Sequence, residues 1–528
     1  MKKRLMIALC CLVLLVQLLP IVPMAETAVA ETADKGIPGY DSELYYCRAE
    51  LAKMPNGDTL VAVYDRIVAG VNDCATSIDI NLSKEEFNLV LDATRRDHTE
   101  QFWLESQYGF TIDKENESFV VAMNPKYTMS KAELADAKVM FEYRVQELLG
   151  YLDPDMSDYE MVKTLHDKLA VSVDYVTGAQ NAHNAYGALV DKKAVCEGYA
   201  ESLQYLLQRA GIQSIEVFGF GVTNVKTGKG ENHAWNIIRI DGEYYLIDLT
   251  WDDHTDDGYI SYAYFNQTSD VFAVDHKQWV IGYENGENWA GGFALPECTA
   301  TAANYYIKND LRISEYDIRS IGAMLKKNDL SVTLWVDSDP EEFKNWFMQS
   351  NDEFAFDIAR EAGVSISSPF RRTCMVIGHE VKIGIDTCKH EQRALVEAKV
   401  ATCTEEGNTA YYVCQNKDCG KWFSDAEAKS EISNKDLVKI SPEGHTWARK
   451  EDAAAHKEGE AYWYTCSACG TISDTLFFAP VPEEPAEPVG FNAVLNYIIA
   501  NPLIPIGIGI GVLLIVVIII VVVSKKKG

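Results

Sequence analysis

Apolar residues recur along this chain with two periods, and the period tells helix from strand. Val162, Leu165 and Leu169 fall on one helical face behind Ser157 and Glu160, which have the spacing of a capping box. Ser83 with Glu86 and Ser130 with Glu133 repeat that spacing, flanked by the staple pairs Leu82/Phe87 and Met129/Leu134; the second of these helices is predicted to stop near Gly150. Tyr199, Leu203, Leu206, Leu207 and Ala210 predict a helix that begins at Cys196 and ends at Gly211. Residues 233–240 and 243–250 instead alternate with period two around Asp241-Gly242, the signature of a tight β-hairpin. If Ile240 faces Glu243, then Trp235 faces Asp248 and His233 faces Thr250, so that His233 and Asp248 are diagonal neighbours on one face. Phe119–Met123, Tyr305–Ile307, Ser331–Val336 and Thr373–Ile377 read as further strands, the last three with helices between them.

A chain of 528 residues exceeds what one core organises, so several domains are expected. The pattern divides it into an α/β companion domain (40–150), a central domain (155–294), a small α/β domain (301–386), two cysteine-bearing modules (388–425 and 443–476) and a Pro/Glu-rich stalk (479–490). The ends change the picture further. Lys2, Lys3 and Arg4 precede a short apolar stretch and Ala28-Val29-Ala30, so residues 1–30 read as a signal peptide. Leu503–Val523 is uncharged over a length that at ~1.5 Å per residue spans roughly 30 Å, and Lys525, Lys526 and Lys527 follow in the tail 524–528. The expectation is an exported single-pass membrane protein with its bulk outside and a short cytoplasmic tail. A formal charge of −30 argues against a nucleic-acid partner, because phosphates would be repelled.

The candidate chemistry lies in the central domain. The free N–H groups and positive dipole end of a helix start, where Cys196 is expected, stabilise a thiolate and can serve an oxyanion. With His233 as base and Asp248 as its orienter, the residues of a nucleophilic triad are present. The acidic run Asp252, Asp253, Asp256 and Asp257 reads as a solvated loop rather than a calcium site, since no closing Glu follows at EF-hand spacing. His276 and the Asp97-His98 pair read as structural.

Together, Ala185-Tyr186-Gly187-Ala188-Leu189, Val195-Cys196-Glu197-Gly198-Tyr199-Ala200, His233-Ala234-Trp235-Asn236 and Ile247-Asp248-Leu249-Thr250-Trp251-Asp252-Asp253 resemble the transglutaminase-like domain of bacterial surface and secreted proteins. Asp97-His98 and Phe102-Trp103 resemble the N-terminal companion of such domains. The resemblance implies an α+β, papain-like core with the nucleophile helix packed on an antiparallel sheet, and Cys196, His233 and Asp248 as a cofactor-independent triad. It implies acyl transfer from protein or peptide amides through a thioester, whether by cross-linking, deamidation or hydrolysis, on substrates at the cell surface or wall. Two alternatives stay open: a non-catalytic adhesin or scaffold that keeps the fold, and a cell-wall peptide amidase. Papain-like enzymes place a Gln before the Cys as oxyanion donor. None stands here, and Tyr186 is either a substitute or a packing residue.

The cysteine modules share a frame: a His, Glu-Gly, paired aromatics, a Cys seven residues after that Gly, and a closing Cys-Gly. The sets are His390, Cys403, Cys414 and Cys419, then His445, His456, Cys466 and Cys469. His456 replaces Cys403 in the second copy, an exchange that a zinc site survives and a disulfide does not. The modules resemble zinc-ribbon-like repeats, with structural zinc favoured over disulfides and Cys388 left spare.

Overall fold

Each Ser-x-x-Glu pair caps a helix in the computed structural model. Ser83, Ser130 and Ser157 accept from the backbone N–H of Glu86, Glu133 and Glu160, whose carboxylates return the bond. The structure describes residues 44–478, apart from 256–258, 281–282, 285–286, 289–292, 368, 417–418, 429, 433–434, 441, 443–444, 446, 450–460, 463 and 472–476. The chain divides into two compact units, Met1–Gly444 and His445–Gly528.

The first unit opens with α1 (Tyr46–Ala52), α2 (Gly57–Asn72), β1 (Ile78–Ser83) and α3 (Lys84–Asp97). β2 (Gly109–Ile112) and β3 (Phe119–Asn124) complete a three-stranded antiparallel sheet in the order β1-β3-β2. α4 (Lys131–Leu149) and α5 (Asp158–Ala170) lead to α6 (Cys196–Arg209). That helix packs on an antiparallel sheet of β4 (Ser214–Asn224), β5 (Lys229–Ile240), β6 (Glu243–Ile247) and β7 (His276–Val280), ordered β7-β4-β5-β6. Apolar residues from Tyr46 to Ala303 form one continuous core, so the companion and central segments are built as one body. Polar contacts reinforce it. Gln208 Nε2 donates to Asp97 O at 3.2 Å, Thr99 Oγ1 donates to Glu201 O at 3.0 Å, and Arg96 is ion-paired with the fully buried Glu216.

Asn304 caps a short helix, α8 (Tyr305–Lys308), where the pattern predicts a strand: its side chain accepts from Tyr306 N and Ile307 N. Beyond it come β8 (Arg312–Ile313), α9 (Ile318–Lys327), β9 (Ser331–Val336), α10 (Pro340–Phe347), α11 (Asp352–Glu361), β10 (Arg371–Ile377) and β11 (Glu380–Asp386). They enclose a second core on a sheet ordered β8-β9-β11-β10. Glu380, at the start of β11, accepts from Ser261 Oγ and Tyr262 N and so ties this module to the central domain. A further four-stranded sheet follows, of β12 (Arg393–Val396), β13 (Tyr411–Cys414), β14 (Trp422–Phe423) and β15 (Glu431–Ile432). In the second unit, β16 (Trp447–Arg449) pairs antiparallel with β17 (Tyr464–Cys466).

The α+β class with its core stands, but the C-terminal transmembrane helix does not. Among the described residues no helix is long and apolar enough to cross a membrane. The single-pass placement drawn from residues 503–523 is corrected accordingly. That segment, the signal peptide, the stalk and the tail lie outside the described residues.

Candidate active site

The hairpin forms in the register the alternation predicts, with Ile240 opposite Glu243 and Asn236 opposite Ile247. Asp241 and Gly242, at φ 51° and 87°, supply the two left-handed residues that such a turn requires. After Ile247 the chain leaves the sheet. Asp248 becomes the N-cap of a single turn, α7 (Leu249–Asp252), its Oδ1 accepting from Trp251 N at 3.2 Å. The pairings predicted for Trp235 with Asp248 and for His233 with Thr250 are therefore absent from the ladder. The cap nevertheless aims Oδ2 at His233, whose Nε2 donates to it at 2.7 Å.

Cys196 is the first residue of α6 and is half-buried. Its thiol is among the groups that raise the pKa of the His233 imidazole, after Asp248. Because Asp248 takes Nε2, Nδ1 is the ring nitrogen left for sulfur. The structure thus puts Cys196 at a helix start, His233 on β5 and Asp248 at the cap of α7, with a hydrogen bond joining the last two. Burial disfavours the His233 imidazolium, but the Asp248 charge and hydrogen bond, with the thiol, outweigh it and lift the pKa to about 10. Asp248 is itself fully buried; the charge and hydrogen bonds of two histidines overcome that burial and hold it well below the ordinary carboxylate range.

The second histidine is His276, which the sequence reading sets aside. β7 pairs with β4, placing His276 opposite Gly221, and its Nε2 donates to Asp248 Oδ2 at 3.1 Å while Nδ1 donates to Asp275 Oδ1 at 2.8 Å. Nothing in the local pattern around His276 could have revealed this, because only the strand pairing delivers it. The Trp251 ring stacks on His233, 5.0 Å between centroids. Gly221 makes room for both rings: a Cβ there would lie 2.8 Å from Trp251 and 3.2 Å from His233. Tyr186 packs on Phe102 and Phe141, as a packing residue would. Asp252, expected in a solvated loop, is instead fully buried, accepting from Tyr264 N at 2.9 Å and facing His166 Nε2 at 3.3 Å. A cavity of about 830 Å³ opens beside Trp251, bounded by Tyr264, Asp275, Arg312 and Trp335. Neither Cys196 nor His233 lines it, so it adjoins the reacting groups without containing them.

Residues 147–249 match the Transglutaminase-like superfamily. This chain carries a transglutaminase-like superfamily domain. Kyphoscoliosis peptidase of Mus musculus is 29% identical over 132 residues, covering 23% of this chain and 20% of that protein; the Homo sapiens protein is 27% identical over the same shares. The chain therefore spans about a fifth of the length of these curated relatives. Among solved structures, a candidate cysteine protease from Cytophaga hutchinsonii is similar at 14% identity and TM-score 0.18, over 25% of this chain and 51% of that one. A TGase is similar at 12% identity and TM-score 0.20, over 30% and 47%. Structural scores this low set no constraint on this chain. The superfamily match supports a thiol-dependent kind of enzyme, and the transglutaminase-like domain contains every member of the predicted triad.

Of the metal candidates in the first module, His390, Cys414 and Cys419 come together, and Cys388 joins them where Cys403 was expected. The register explains the exchange. Arg393 lies opposite Cys414 and Val396 opposite Tyr411, so the residues before β12 meet the end of β13, while Cys403 follows the other end of β12. The Cys-x-His spacing of Cys388 and His390 is the signal that would have found it. In the second unit, Cys469 Sγ lies 3.3 Å from His445 Nδ1, Cys466 is buried nearby, and His456 lies outside the described residues.

Proposed function

We propose that this chain is a thiol acyl-transfer enzyme acting on protein or peptide amides through Cys196. The observation that supports the reading is a carboxylate-held imidazole, His233, whose pKa is raised in part by a half-buried thiol on the first turn of a helix. Cys196 sulfur bonds to the acyl carbon, and its proton passes by way of His233 to the departing nitrogen as the C–N bond breaks. An amine or water then gives a proton to His233, bonds to the acyl carbon and releases the thiol. Asp248 keeps Nε2 protonated and the ring oriented throughout. The backbone N–H groups at the start of α6 are donors for the oxyanion of each tetrahedral intermediate. The partition between amine and water depends on the acceptor that reaches the thioester.

An activated ester tests this without knowledge of the natural substrate. Treatment with p-nitrophenyl acetate is expected to release a burst of nitrophenolate and leave acetyl on Cys196, absent in Cys196→Ala. Added hydroxylamine should divert the acyl group to a hydroxamate. A wild type that shows no burst above the Cys196→Ala background is a scaffold, and the reading fails.

A further inference from the structure

We infer that Cys388, His390, Cys414 and Cys419 bind one zinc ion that clamps the β8–β11 module to the β12–β15 sheet. The four donor atoms lie within 4.8 Å of one another. Cys388 Sγ is 3.6 Å from Cys414 Sγ, and Cys419 Sγ is 3.4 Å from His390 Nδ1. A tetrahedral zinc, with bonds near 2.3 Å to sulfur and 2.0–2.1 Å to nitrogen, sets those edges at about 3.8 Å and about 3.6 Å. The donors therefore converge on one point at the spacing the ion imposes.

The surroundings are built for ligation. Asp386, the last residue of β11, accepts from His390 Nε2 at 2.8 and 3.0 Å, which fixes the ring and leaves Nδ1 for a metal. Asn416 Nδ2 donates to Cys388 Sγ at 2.8 Å and His390 N donates to it at 3.3 Å, as donors do to a thiolate. His390 is buried and has a left-handed backbone at φ 51°, a conformation that its contacts must sustain in a residue with a Cβ. Three thiols give up protons when the ion binds, and the neutral imidazole supplies the fourth ligand. The clamp is geometric: Cys388 and His390 continue from β11, whereas Cys414 ends β13 and Cys419 precedes β14.

The test combines zinc content and cysteine mapping on the full chain, purified without chelator. Cys388→Ser and Cys414→Ser should each lower zinc by about one equivalent, and the double variant by the same single equivalent; counting by difference excludes zinc bound elsewhere in the chain. In the wild type, Cys388, Cys414 and Cys419 should resist alkylation together and become reactive together on chelation. That arm stands even if a variant fails to fold. Alkylation of Cys388 regardless of chelator, unchanged zinc in Cys388→Ser, or recovery of a Cys388–Cys414 disulfide would each overturn the site.

Discussion

At the scale of single residues, the candidate site depends on one carboxylate with several duties. Asp248 caps α7 through Oδ1 and receives both His233 and His276 on Oδ2. Asp248→Asn removes the charge that holds His233 in its working tautomer, and acylation of Cys196 should fall roughly 10³-fold or more in stopped-flow ester assays. Gly221→Ala probes the packing behind the base. The added methyl meets Trp251 and His233 at contact distances that require movement, so a loss of about 1–3 kcal/mol in thermal or urea melts should accompany a drop in acylation rate. Cys196, His233 and Asp248 were legible in the sequence because a helix start and a two-residue turn fix their places locally. His276 was not, since its role depends on β7 returning beside β4.

Among the elements, alternation and capping signals located the helices and the hairpin, and they failed where a side chain overrode them. Asn304 turned a predicted strand into a helix, and the N-cap role of Asp248 ended β6 at Ile247, three residues short of the predicted end at Thr250. β11 carries the most informative titration. Burial of Glu380 raises its pKa to about 8, against hydrogen bonds from Tyr262 N and Ser261 that lower it. A folded-state pKa above the unfolded value gives stability that is complete below about pH 4.5 and lost as pH rises through about 8. Glu380→Gln keeps an acceptor without the ionisation. Melts from pH 4.5 to 9.5 should show the wild type losing stability up to about pH 8 and then levelling, with the variant nearly flat; parallel curves would place the titration elsewhere.

Over the whole molecule, the described residues before and within the transglutaminase-like domain share one core, which composition and length alone did not reveal. The sequence suggested a companion and a catalytic domain, and the shared core from Tyr46 to Ala303 joins them. Arg96 and Glu216 lie at that junction. Arg96→Ala should leave a buried, unpaired carboxylate and cost about 3–5 kcal/mol in chemical denaturation, whereas Arg96→Met combined with Glu216→Leu should recover most of it. The membrane span was read from hydropathy over a segment outside the described residues, so its correction does not touch the body that carries the site.

In the proposed reaction His233 and Asp248 activate the Cys196 thiol. The most direct test is the rate of Cys196 alkylation by iodoacetamide at pH 6, followed by peptide mapping because other thiols react as well. Wild type should react at least about ten-fold faster than His233→Ala, with Asp248→Asn between them. Equal, slow labelling of Cys196 in all three proteins would contradict the claim and leave the transglutaminase-like domain as a scaffold.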